Sequence, residues 1–449
     1  MRPFPAMKIE LSGHYGYRRI VKTLVPMVAT MIVISTYSVV DGLVVSNFVG
    51  NTAFAAMNLI WPVLSMIAAF GQMIGAGGSA LVSKTLGEGN PARAREIFSM
   101  LVRVSLISGV LVALLLVASM EHVVLALGSD GTMLPYAVSY GRIVALALPF
   151  YIVQMAFQSF YMTAELPQLG TLSSIVCGLL NVGLDLLFVA VFGWGLEGAA
   201  IATAVSLAFG GLFPLCWFSS RRNRSTLRFV RSGRDIPSLV KTCSNGVSEY
   251  VGNISLNIVG ICYNLQLMKY VGENGVSAYG IIMYVAFIFA AVFMGYNMGI
   301  SQIIAFNYGA GNRKELTSLL RKSLVLVAAG GLAMTLVSEI SARAVCGFFV
   351  SSDPELHGFA TRAVRIYMLS FLLCGFNMFA SAWFTALNNG TVSAVSAFAR
   401  TLVFELGAVF LLPVLLGIDG IWLSVSVAEV FACIMSAILI LSFRKRYGY

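Results

Sequence analysis

The chain has 449 residues, 58% of them apolar and only 11% charged, with a mean hydropathy of +0.87. An ordinary soluble protein carries charge on roughly a quarter of its residues, so that class is excluded. The net charge of +10 does not indicate a nucleic-acid partner, because the Lys and Arg lie between apolar runs, where they act as topology signals facing anionic lipid.

Apolar runs of bilayer length, about 20 residues each, recur along the chain. Twelve spans are predicted, at 20–45, 54–83, 97–119, 135–163, 167–192, 196–218, 239–271, 276–308, 319–341, 360–387, 391–415 and 420–442. The first is not expected to be a signal peptide, being too long and lacking a small-residue cleavage site. Pro26 removes a backbone hydrogen bond early in that span and predicts a kink, unless the helix starts later and Pro26 stands near its N1. Thr36–Gly50 closes the run, with Asp41 between Val39–Val40 and Leu43–Val45. An ionised carboxylate near a bilayer centre costs about 2.5–3.5 kcal/mol. Asp41 therefore either caps a helix end at the interface or centres an ion or proton site.

In the fifth span, the i, i+4 spacing of Asn181 and Asp185 puts both side chains on one helical face. Two carbonyl-type oxygens one turn apart suit a hard cation or a shared proton; the other use of a buried Asn is a hydrogen bond between spans. The sixth span opens on small residues, Gly195, Gly198, Ala199, Ala200 and Ala202, which permit close helix approach, and Thr203 adds a hydroxyl. Glu249 begins the seventh predicted span, as an interfacial residue or a second ionisable group. Arg400 and Glu405 share the eleventh span and either neutralise each other or, the favoured reading, face the cytoplasmic edge. Glu429 in the twelfth is a candidate structural partner.

Basic residues alternate among the connections. They crowd the N-terminal tail, the second, sixth and eighth connections and the C-terminal tail; the first and fifth have none, with Lys269 and Arg343 as exceptions on the other side. The positive-inside rule then puts both termini in the cytoplasm and requires an even number of spans. The Arg-rich stretch 219–238 divides the chain into halves that repeat. Gly50 pairs with Gly272, Gly87 with Gly309, Gly89 with Gly311, Asn90 with Asn312 and Gly198 with Gly420, all at one offset of 222 residues. Six spans per half make both halves enter from the same side, so an axis along the membrane normal should relate them, with a cavity between.

Catalytic signals are missing. His14, His122 and His357 fall in the tail or predicted loops, the seven cysteines include no CxxC, and there is no HExxH, GxSxG or GxxxxGK[ST]. The expectation is neither an enzyme nor an ATPase, with no cofactor.

The motifs VDGLVVSNFVG (40–50), GGSALVSKTLGEGN (77–90), LNVGLDLLFVAVFGWGLEGAAIAT (180–203), NYGAGN (307–312) and DGIWLSVSVAE (419–429), in this order across residues 18–442, resemble the multidrug and toxic compound extrusion (MATE) transporters, and most of all their bacterial MepA-like branch. The resemblance implies an all-α membrane protein of two six-helix bundles in a V: residues 1–218, a basic cytoplasmic linker at 219–238, and 239–449. It implies a secondary antiporter that exports organic cations or other amphiphiles against proton or sodium entry. A flippase of a lipid-linked precursor is the alternative. Asp41, Asn181, Asp185 and Thr203 match the family's N-lobe cation site, for H+ or Na+. Some sodium-coupled members use acids in the seventh and tenth spans; Glu249 fits the seventh, but 360–387 contains no Asp or Glu. The expected partners are small amphiphilic or cationic molecules and membrane lipid, with no nucleic acid. The expected state is a monomer in a bacterial cytoplasmic membrane.

Overall fold

The computed structural model describes residues 10–129, 131–349 and 354–449, apart from the side chains at 37–44, 46, 47, 51, 273 and 349. Every regular element among these residues is helical. The first half comprises α1 (Tyr17–Phe48), α2 (Asn51–Gly87), α3 (Pro91–Ala126), α4 (Leu134–Ala145), α5 (Leu148–Thr163), α6 (Pro167–Asp185) and α7 (Gly195–Ser219). The second comprises α8 (Ile236–Tyr270), α9 (Glu273–Gly309), α10 (Arg313–Phe349), α11 (Pro354–Met368), α12 (Phe371–Ala386), α13 (Gly390–Phe398), α14 (Leu406–Leu416) and α15 (Ile418–Tyr447). Two pairs are single spans broken by a bend, of 59° between α4 and α5 and 41° between α11 and α12. A π turn, Leu186–Val191, extends α6, and another, Ala399–Glu405, joins α13 to α14. This gives six spans per half.

Helix ends overrun the apolar runs where capping chemistry continues past the hydrocarbon. The third span, expected at 97–119, begins at Pro91, whose ring suits the first helical position, while the Asn90 Oδ1 accepts the Arg93 amide at 3.1 Å. His122 and His357 consequently lie in helices, α3 and α11, and not in loops. α1 continues through Pro26 as an unbroken helix.

The repeat is visible in backbone conformation. Left-handed φ values occur at Gly50 (107°) and Gly272 (82°), at Gly89 (79°) and Gly311 (67°), and at Gly195 (57°) and Gly417 (61°), each pair 222 residues apart. These turns need a residue without a Cβ. Backbone approach between the halves repeats likewise. A Cβ on Gly87 would stand 2.0 Å from the Phe306 carbonyl oxygen, and one on Gly309 would stand 2.0 Å from that of Lys84. Lys84 and Phe306 are themselves 222 apart, so these contacts straddle the pseudo-two-fold axis. Gly77 meets the Thr242 carbonyl and Gly246 that of Met73 with equally little room, at 2.1 and 1.9 Å.

All these contacts lie toward one end of the molecule, the end that also holds the chain termini and the Arg-rich connection. The deepest cross-lobe hydrogen bond, Asn253 Nδ2 to Gln72 Oε1 (2.5 Å), sits near the middle of α8 and α2. Beyond it no hydrogen bond joins the lobes among the described residues. The closed end has two seams. On one, Ser83 Oγ donates toward Thr163 Oγ1 and Gln302 Oε1, both at 3.1 Å, and all three side chains are buried. The residues at the pseudo-symmetric places, Ala305 and Ala80 at the 222-residue offset and Ala386 at the 223-residue offset of the α5 and α12 ends, are fully buried in one apolar core.

Two peripheral segments strap this end. Residues 10–16 cross from the first lobe to the second: Leu11 N donates to Glu165 Oε1 (2.9 Å), Tyr15 N to Glu315 Oε1 (2.8 Å), and Lys322 Nζ to the Tyr15 carbonyl (2.5 Å). Burial, opposed by the nearby Arg19 charge, pushes the Tyr15 phenol up to about 12. The connection after α7 lies on α3, with Arg95 Nε donating to the Thr226 carbonyl (2.8 Å) and Val230 N to Ser99 Oγ (2.9 Å). Asp235 caps α8 and pairs with Arg93; its hydrogen bonds from Ser238, reinforced by Arg93, hold its carboxyl below the usual range.

Candidate ion site and its surroundings

Asn181 and Asp185 end α6 on the side packed against α1 and α7, and both are buried, at 2% and 0% exposure. The π turn that begins at Leu186 widens the helix directly after Asp185 and shifts the register of the residues beyond it. Asn181 Nδ2 donates to Thr203 Oγ1 on α7 at 3.5 Å, and Ser206 Oγ donates to the Thr203 carbonyl at 2.8 Å. The Asn181 Oδ1 is buried and accepts no hydrogen bond among the described residues. An acceptor left in that condition costs about 1–3 kcal/mol, which a bound cation or a protonated partner would offset. The structure thus brings Asn181 and Thr203 together, with Asp185 one turn further along α6. Asp41 belongs to the half of α1 away from the termini, and its side chain lies outside the described residues.

Lower in the same bundle, α1 is tied to α6 through Pro26. The Thr171 hydroxyl donates to the Pro26 carbonyl at 2.7 Å, and the Thr30 hydroxyl lies 2.8 Å from the same oxygen. An enclosed cavity of about 10 Å³ adjoins this point, lined by Met27, Thr30, Gln154, Gln158, Tyr161 and Ser173 among others. It is just large enough for one water, and the Gln154 Oε1 beside it has no hydrogen-bond partner among the described residues.

Glu249 does not begin a span. α8 starts at Ile236, so Glu249 lies well inside it, one turn beyond Gly246 and one turn before Asn253, the residues that meet α2. Its carboxylate is exposed on the inter-lobe side, and no Lys, Arg or His among the described residues lies within ion-pair distance. Among the described residues, α8 is also the span whose apolar content falls short of the others. It carries Lys241, Asn245, Glu249, Asn253, Asn257 and Gln266, as expected of a helix that borders water.

The C-terminal bundle holds a charged cluster that the sequence did not assemble. Arg400 neither pairs with Glu405 nor faces an edge. Its guanidinium reaches Glu429 Oε1 through Nε (2.9 Å) and Nη2 (2.5 Å), while Asn377 Nδ2 donates to the other carboxylate oxygen at 2.6 Å. The Arg400 Nη2 also approaches the Cys374 sulfur at 3.3 Å. The N-lobe residues 223 positions before Arg400 and Asn377 are Cys177 and Gln154, an uncharged pair in contact at 3.9 Å, and the residue 222 before Glu429 is Leu207. The lobes share a backbone plan and differ in charge at their centres. Asn377 gave no sequence signal; Arg400 did, as the one basic residue deep in a span.

A family model, MatE, matches residues 26–187 and again 250–411, once in each half. The multidrug export protein MepA of Staphylococcus haemolyticus is 26% identical over 98% of this chain and 97% of its own length. The MepA of Staphylococcus saprophyticus is 24% identical over 98% of both. A solved structure described as the outward-facing conformation of a multidrug resistance MATE family transporter of the MOP superfamily has a TM-score of 0.90 to this fold at 22% identity, covering 98% of this chain and 97% of that one.

Proposed function

The chain belongs to the MatE family of multidrug and toxic compound extrusion transporters, and from that premise we propose that it exports cationic amphiphiles in exchange for protons or sodium entering through the N-lobe. The carrying observation is the buried Asn181–Thr203 contact beside Asp185, with an amide oxygen left without a donor among the described residues. A cation or proton supplies what that oxygen lacks and neutralises the carboxylate beside it, and Asp41 on α1 is the second acid expected there. Neutralising the acids favours a different path for α1, for which Pro26 is the place to bend.

The closed end is the cytoplasmic one on this reading, because it carries the Arg-rich connection and the termini. The conformation is then open outward. The cleft presents Glu249 without a counter-ion among the described residues, beside Gln72 and Asn253, which suits a positively charged cargo. A lipid-linked precursor would want a cationic cavity instead; Arg400, the basic residue deep in a span, is matched by Glu429. The oxygen set suits either ion, and the lack of an acid in 360–387 favours the proton.

Purified protein in proteoliposomes decides the ion. With a proton gradient alone, dye export should proceed; with a sodium gradient alone at equal pH, it should not. Export driven by sodium alone overturns the proton assignment, and no ion-driven export of any cationic dye overturns the function.

A further inference from the structure

The repeat maps the N-lobe ion cluster onto the C-lobe. The residue 222 positions after Asp41 is Tyr263 on α8, and the one 222 after Thr203 is Val425 on α15. α13 begins 223 residues after α6, but its π turn comes early in the span, at Ala399, whereas the N-lobe turn begins at Leu186. A π turn inserts one residue, so by its last residue, Glu405, and beyond it the offset becomes 224. Asn181 then maps to Glu405 and Asp185 to Val409. The C-lobe copy has an acid where the N-lobe has an amide, a phenol where it has an acid, and two valines in place of Asp185 and Thr203.

The surroundings of Glu405 agree with this mapping. Tyr263, with Tyr279 on α9 and Tyr367 on α11, lies near it, and Tyr263 lies beside the Val425 backbone. Tyr263 stacks on Tyr279 with centroids 5.0 Å apart and meets Tyr367 edge-on at 6.2 Å. The other titratable neighbours are Arg400 on the same span, Cys374 on α12 and Glu429 on α15. Arg400 is matched by Glu429, and Asn377 occupies the remaining Glu429 oxygen. Among the described residues Glu405 has no hydrogen bond and no ion pair; Arg400 acts on it from a distance while paired with Glu429, so two carboxylates share one guanidinium.

We propose that Glu405 is a second coupling site, in the C-lobe, that takes up a proton and excludes sodium. It deepens the ion-coupled reading above and rests on it. Sodium requires several oxygen ligands, and the copied site offers one carboxylate against a phenol, Val409 and Val425. A proton requires one carboxylate oxygen: hydronium transfers H+ to Glu405, water departs, and the charge within the span disappears. The apolar tyrosine faces then enclose a neutral acid.

Protonation can be read without transport. Difference infrared spectra of the protein in lipid nanodiscs, without drug, should show protonated-carboxyl bands as pH is lowered. Glu405→Gln should remove one of them, while Asp41→Asn and added sodium leave that band in place. Tyr263→Phe, which keeps the acid and the ring, should move the band and not delete it. In proteoliposomes, Glu405→Gln should export with about one proton fewer per dye molecule. Spectra of Glu405→Gln identical to the wild type, or an unchanged proton count, overturn the site; so does a band that sodium suppresses. If the band behaves as stated but the wild type exports no dye under any gradient, the function fails and the proton site stands.

Discussion

Asp185→Asn should reduce gradient-driven export by about 100-fold or more, a loss of roughly 2.7 kcal/mol or greater. Asp185 is fully buried in the apolar N-lobe, one turn from an amide oxygen without a donor. The substitution keeps shape and removes the charge that an entering cation neutralises. It leaves no cavity, and a buried carboxylate near mid-membrane costs about 2.5–3.5 kcal/mol, so thermal stability should hold or rise. Loss of export with an intact melting transition is the expected pair of results. Asp41→Asn should behave likewise and still bind dye. Wild-type export by Asp185→Asn in proteoliposomes would remove the N-lobe cluster from the mechanism.

The second large effect comes from adding a single methyl group. A Cβ on Gly246 would lie 1.9 Å from the Met73 carbonyl oxygen, with backbone on both sides of the contact. No rotamer change relieves that overlap, so Gly246→Ala must hold α8 away from α2. The contact exists only while the closed end is shut, so the cost falls on this state and not on the fold of either lobe. Moving a two-state equilibrium from 1:99 to 99:1 takes about 5.5 kcal/mol, and a clash this close is of that order. Spin labels on either side of the closed end should report a longer distance, with export near background and the lobes still folded. Unchanged distances together with normal export would show that the contact is not a gate.

The architecture was legible because its causes are local or periodic. Apolar runs mark spans, the 222-residue offset marks the repeat, and Gly89 and Gly311 announce turns that only a residue without a Cβ adopts cheaply. α8 was legible through the Arg-rich connection and the repeat more than through its hydropathy, since a helix facing a wet cleft keeps polar residues. The pairing of Arg400 was not legible. Glu405 is five residues away and Glu429 twenty-nine, and only the assembled bundle decides between them. The π turns carry no local signal either. The polar stretch around Glu249 reads as a span end, whereas Asp235 caps the helix more than three turns earlier and leaves Glu249 well inside it.

The two seams of the closed end have the same backbone and opposite hydration. Water entering between Ser83, Thr163 and Gln302 exchanges one set of hydrogen bonds for another, at little net cost. Water entering among Ala80, Ala305 and Ala386 wets methyl groups, and that carries a positive heat-capacity change. Apolar adhesion weakens on cooling while the hydroxyl seam changes little. Opening is therefore lopsided in temperature although the lobes are nearly symmetric: in the cold the alanine side loosens first and the lobes pivot on the hydroxyl side.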